Sequence, residues 1–288
     1  MRASIQSTRD AVAASHRALL AELEFAIEGL GRRSASDAHI HEIRKALKRA
    51  RAALRLLRGL AGVRAYRRDN AAIRDAARPL TAVRDGKVLL QTLRDLKAAS
   101  GDGNKGFASQ LRSELRTQRL IERRRLTSPL LRHSAVMVRQ VHDRISLLAI
   151  PEGAAPQATE GLKHAYKRAR QAFREVAGEL SDDRLHEWRK QTKYFASQLE
   201  ILEPLKPRFF AKSRKRADRL TDALGQDHDL VVLAGWIRRF GRQVRPADRA
   251  DGEAELLGRL VRRREKLKRR VLRLGRRLFS KNCRRYRA

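Results

Sequence analysis

Apolar residues recur every third or fourth position along nearly the whole chain, and no stretch of useful length alternates apolar with polar residues. That periodicity belongs to amphipathic helices and not to strands, so the predicted fold class is all-α. Breakers punctuate it at GRRSASD (31–37), at Pro79 inside a long third helix, at GDGNKG (101–106) and at PEGAAPQATE (151–160). Beyond the last breaker the order repeats. One helix starts at about Glu160 and another at about Asp182, Pro204 and Pro207 follow, a third helix is broken near Gly225, and a long basic helix ends near Phe279.

Direct comparison of the two halves supports this reading. SDAHIHEIRKALKRA (36–50) aligns with SDDRLHEWRKQTKYF (181–195), matching Ser36 to Ser181, Asp37 to Asp182, His41 to His186, Arg44 to Arg189 and Lys48 to Lys193 at a constant offset of 145. Farther on, LTAVRDGKVLL from Leu80 aligns with LGQDHDLVVLA from Leu224 at an offset of 144, pairing Asp85 with Asp229. The expectation is two antiparallel four-helix bundles related by a pseudo-twofold. They would form one domain over 1–288, with a first helical half at 7–149, a linker at 150–159 and a second half at 160–288.

At about 100° per residue, Ile43, Leu47, Ala50, Leu54 and Leu57 share one narrow arc and form a core seam. His41, Arg44, Lys48, Arg51 and Arg55 share a different arc, a stripe of about 21 Å at 1.5 Å per residue. In the second half, Leu185, Trp188, Phe195, Leu199 and Leu202 make the corresponding seam, and His186, Arg189 and Lys193 the corresponding stripe, which Ala196 and Glu200 interrupt. Lys45 and Lys190 flank the two stripes. Solvated cationic faces are common, because long stems cover apolar surface. Like charges three and four residues apart nevertheless repel, and repetition of that cost in both halves points to an anion site.

The totals sharpen the partner. Lys and Arg number 67 against 32 Asp and Glu over 288 residues, a formal charge of +35, with 42% hydrophobic residues. Such a chain can bury a core, and a polyanion would relieve its self-repulsion. The single cysteine, Cys283, excludes an internal disulfide framework and a multi-cysteine zinc site. No segment reads as a secretory signal or a membrane span, so a cytoplasmic protein without membrane insertion is expected.

Other residues are weaker candidates. His39 and His41 lie about 200° apart on a helix, which argues against a shared metal, and a phosphate-donor or packing role suits His41 better than catalysis. Asp85, Asp227 and Asp229 fall at expected helix breaks and read as caps. Arg78, Arg84, Lys215, Arg219 and His228 flank those breaks and extend the cationic surface, and Tyr166 and Arg170 share a face at i and i+4.

HEIRKALKRAR (41–51), its echo HEWRKQTK (186–193), RDGKVLL (84–90) and LGQDHDLVVL (224–233), taken in this order, resemble the CHAD family of conserved-histidine α-helical domains over essentially the whole chain. The resemblance implies two four-helix bundles around a basic cavity that binds inorganic polyphosphate. It also implies a binding module and not an enzyme, with links to polyphosphate-metabolising enzymes and storage granules. Lys48 and Lys193 stand where arginine is frequent in the family, Ala196 and Ser197 replace a commonly basic and aromatic pair, and no triphosphate-tunnel domain is fused, as in a stand-alone member. No cofactor or metal is expected. The alternative reading is a nucleic-acid binder, since phosphate contacts alone do not distinguish polyanions; an aromatic content of 5% and the lack of a recognisable nucleic-acid motif count against it.

Overall fold

The computed structural model describes residues 2–32, 36–98, 105–150 and 156–280, and among them there is no strand. Part of the GDGNKG break, the linker at 151–155 and the tail carrying Cys283 lie outside the described residues. The helices are α1 (Arg2–Gly31), α2 (Asp37–Leu56), α3 (Arg58–Ala61), α4 (Val63–Ala77), α5 (Pro79–Ala98), α6 (Lys105–Arg125), α7 (Ser128–Ser146), α8 (Pro156–Gly178), α9 (Asp182–Leu202), α10 (Pro207–Gly241) and α11 (Pro246–Phe279).

The ends of α2 and α9 follow from local chemistry that the repeat preserves. Ser36 accepts a hydrogen bond from the His39 amide at 3.2 Å, and Ser181 accepts one from the Arg184 amide at 3.3 Å. Each serine satisfies one of the donors that a helix start leaves orphaned. Asp37 in one helix, and Asp182 and Asp183 in the other, place negative charge on the first turn, where the helix dipole favours it. At the junction of α3 and α4, Gly62 has φ 79°, a conformation that a side chain would strain.

The break at Pro79 is present, dividing α4 from α5, whereas the expected break near Gly225 is not: α10 runs unbroken from Pro207 to Gly241. A glycine inside a helix costs only about 1 kcal/mol, which the buried neighbours Ala223, Leu224 and Leu230 offset by packing. Asp85, Asp227 and Asp229 consequently lie inside helices and cap nothing, a correction to their expected role. Asp227 is instead a buried ion-pair partner: Arg264 on α11 donates to it from Nε at 2.9 Å and from Nη2 at 3.3 Å.

Two compact units emerge, Met1–Thr81 with Leu126–Thr221 and Leu274–Ala288, and Ala82–Arg125 with Asp222–Arg273. Both units draw on both sequence halves. In the first, α1 packs on α2 and α7, and α4 packs on the same two helices, so four helices of the first half close a ring. Helices α8 and α9 form a hairpin, and each touches both α1 and α2. All ten residues of the two expected seams are buried. An aromatic cluster joins α8, α9 and the end of α11, with Phe173 stacked on Phe279 at 5.7 Å and tilted against Trp188 at 5.2 Å.

The second unit has its own core. Leu89, Leu93 and Leu96 of α5 meet Phe107, Leu111 and Leu115 of α6, Leu230, Leu233 and Ile237 of α10, and Leu256 and Leu260 of α11. Four helix segments thus bury one shared apolar seam.

Candidate anion-binding faces on α2 and α9

The cationic arc of α2 is divided in its use. His41 and Lys48 are solvent-exposed, while Arg51 and Arg55 are half-buried and Arg44 is 8% exposed. Arg44 Nη1 donates to Thr81 Oγ1 at 2.5 Å and to the Ala77 carbonyl at 3.5 Å. Pro79 explains this contact. The chain tightens around it, with the Thr81 amide donating to Arg78 and not to Ala77, so the Ala77 carbonyl needs side-chain donors. Thr81 Oγ1 at 3.2 Å and Arg44 supply them. The residue expected to meet an anion thus seals a helix break.

Arg51 Nε donates to Asn70 Oδ1 on α4 at 2.9 Å. Arg55 lies 3.7 Å above the ring of Tyr194 on α9, a cation–π contact between the two repeated helices. His39 turns to Gly29 on α1.

On α9, His186 is exposed and Arg189 and Lys193 are half-buried. The flanking lysines are occupied by their own glutamates in equivalent pairs, Lys45 with Glu42 at 3.1 Å and Lys190 with Glu187 at 2.8 Å. Partial burial opposes ionisation of Glu187, but hydrogen bonds from Lys190 and Gln191 prevail and hold its carboxyl below the ordinary range.

The register of α2 against α9 carries the symmetry. Arg55 meets Tyr194, and the charge of Glu200 acts on Arg49. Adding 145 to 49 gives 194 and adding 145 to 55 gives 200, so the cation–π contact and the longer-range charge effect join equivalent positions of the repeat. His41 lies 14 residues before Arg55, and His186 eight residues before Tyr194. About 21 Å and 12 Å of helix therefore separate the two histidines from that contact, each on its own N-terminal arm.

The remaining candidates scatter. Arg78 is exposed and donates to Asp75 at 2.9 Å, sharing it with Arg74, whose hydrogen bond holds the Asp75 carboxyl below its ordinary range. Lys215 and Arg219 are exposed on the first part of α10, and Arg170 is half-buried on α8. Arg84 and His228 belong to the second unit, where Arg84 pairs with Asp85 at 3.2 Å. Tyr166 is a correction: it is 0% exposed, its ring 5.4 Å from Phe195 and 5.6 Å from Phe279, and it belongs to the core.

Several structural partners escaped sequence reading. Glu22 on α1 forms a forked ion pair with Arg49 that raises the guanidinium pKa against the effect of burial. Tyr194 was in principle accessible, because it occupies the place of Arg49 in the repeat. Asn70 and Thr81 carry no local signal. Among the described residues no group of three or more His, Cys, Asp and Glu could hold a metal ion, and no helix is long and apolar enough to cross a membrane.

Comparison with known proteins places this geometry in a family. No curated protein matches the sequence. Among solved structures, PptA from Streptomyces chartreusis is similar with a TM-score of 0.68 at 18% identity, covering 93% of this chain and 99% of that one. The crystal structure of the CHAD domain from the plant Ricinus communis is similar with a TM-score of 0.60, also at 18% identity, covering 97% of this chain and 92% of that one. At such identities these likenesses establish the fold. The CHAD domain model matches residues 11–238, most of the chain and both repeated motifs, and the protein belongs to the CHAD domain family.

Proposed function

We propose that this protein binds inorganic polyphosphate without catalysis, through the cationic faces of α2 and α9. The observation that carries the reading is the reciprocal register of two helices bearing His41, Lys48, His186 and Lys193 at equivalent positions, in a chain with a formal charge of +35. A flexible chain of phosphates matches separated clusters of cations better than one compact anion does. Ammonium and guanidinium groups would bind successive phosphates and release condensed counterions, a driving force that needs no bond to break.

A titration with size-fractionated polyphosphate at several salt concentrations tests this. Affinity should increase with chain length and fall steeply with salt. At about 0.7 per phosphate for a single-stranded polyanion, five neutralised phosphates give a log–log slope of about −3.5. Long chains binding no better than orthophosphate, or RNA displacing them at equal phosphate concentration, would remove the reading. Phosphate release by the purified protein, lost on His41→Ala, would replace binding with catalysis. Association with polyphosphate granules or polyphosphate-metabolising enzymes, in the cytoplasm, would follow from the same affinity.

A further inference from the structure

Where α2 ends, α3, the start of α4 and the first turns of α8 line an open cavity of about 690 Å³, wholly within the first compact unit. Its walls are unlike the stripe. Arg58, Arg67 and Arg168, all solvent-exposed, come from three different helices, the half-buried Arg55 adds a fourth guanidinium, and an exposed His164 lies among them. Leu56, Val63 and Ala165 supply an apolar wall, and the Arg58 guanidinium lies 5.3 Å from the centre of the Tyr66 ring. Among the described residues Glu160 is the only carboxylate lining the cavity, and Lys163 already engages it at 2.7 Å.

Space here depends on Gly161: a Cβ at that position would come within 3.2 Å of the Leu56 backbone, so the glycine lets α8 approach the end of α2. Convergence of arginines from separate elements is costly unless something negative joins them. The imidazole of His164 lies in the field of these cations. Partial burial, then the charges of Arg168, Arg58, Arg55 and Lys167, push its pKa below the ordinary range.

We propose that this cavity is a separate binding site for a compact oligophosphate of about three phosphoryl groups, whose shared chemistry is that of inorganic tripolyphosphate and a nucleoside triphosphate. The volume falls inside the range of roughly 300–1,000 Å³ typical of small-ligand sites. Arg58, Arg67 and Arg168 bind the phosphoryl oxygens in bidentate fashion, and His164 becomes a further donor when protonated. The apolar wall and Tyr66 offer a face to a base, if the occupant carries one. A bound anion offsets the cations around His164, so binding takes up a proton and affinity rises as pH falls through the depressed pKa of the imidazole. Arg55 is the one cation that the cavity shares with the α2 stripe; Arg58, Arg67, His164 and Arg168 lie outside both stripes.

The test is calorimetric titration of the full chain with tripolyphosphate and, separately, with a nucleoside triphosphate. Arg58→Glu with Arg168→Glu should weaken the tighter ligand at least tenfold, Arg58→Lys with Arg168→Lys should retain part of the affinity, and Lys48→Glu with Lys193→Glu should change it less than twofold. Tighter binding of the nucleotide identifies a base-bearing occupant, and tighter or equal binding of tripolyphosphate an inorganic one. Failure of both to saturate overturns the proposal, as does an equal loss in the Lys48 and Lys193 variant. Independently of these variants, the His164 imidazole resonance, assigned with His164→Gln, should titrate at higher pH in the presence of ligand. An unmoved titration also overturns it.

Discussion

Arg55 in the last turn of α2 and Arg58 at the start of α3 occupy the places, 145 residues apart, of Glu200 in the last turn of α9 and Glu203 just beyond it, and the two pairs carry opposite charges. On α9 the charge is neutralised locally: Glu203 accepts from Arg214 at 2.5 Å, and Glu200 adds to the field on both Arg214 and Arg49. In the first half the two arginines look toward Tyr194 and Tyr66 and border the cavity around His164. The seams behind these ends show no such divergence, with Ile43 and Trp188, another equivalent pair, both 0% exposed. Packing therefore holds the two halves to one architecture, while charge on the outer arcs was left to differ. A backbone repeat constrains what must interlock and leaves what meets solvent unconstrained.

The largest test of that contrast is in the cores. Ile43→Ala should destabilise the protein by about 2–5 kcal/mol and Trp188→Ala by about 3–5 kcal/mol through lost burial and residual cavities, read as comparable falls in urea midpoint. A large inequality would mean that the seams are not equivalent. Next comes the charge asymmetry. Lys48→Glu, on the arc that continues to Arg51 and Arg55, should weaken long-chain polyphosphate at least tenfold, about 1.4 kcal/mol. Lys193→Glu, whose arc runs on to Ala196 and Glu200, should cost only about threefold, half as much in free energy. Equal losses in fluorescence titration would break the comparison. The caps touch stability alone: Ser36→Ala and Ser181→Ala should each cost about 1 kcal/mol of stability, equally in both halves, and leave anion affinity unchanged.

Much of this was legible in sequence because it is local. The seams, the serine caps and the 145-residue offset are written in spacings of three and four residues, which helices honour whatever surrounds them. The inward arginines were not legible. Arg44, Lys48 and Arg51 share one arc, but Arg44 answers to Thr81 and Ala77, and Arg51 to Asn70, partners whose proximity only the packed bundle decides. Tyr166 misled in the same way: its spacing to Arg170 is helical, but its ring joins Phe195 and Phe279 from other helices. Gly225 misled in the opposite direction, since a weak local penalty was overruled by its buried neighbours.

The guanidinium of Arg44 closes the gap that Pro79 opens between α4 and α5, and this fixes what a guest on the neighbouring surface can do. Drawing Arg44 outward toward a phosphate would leave the Ala77 carbonyl to the Thr81 hydroxyl alone and remove the donor that holds that hydroxyl in place. The Thr81 amide, which donates to the Arg78 carbonyl within the turn around Pro79, should therefore exchange with solvent faster when a guest draws the arginine away, an outcome that hydrogen exchange with and without polyphosphate would read.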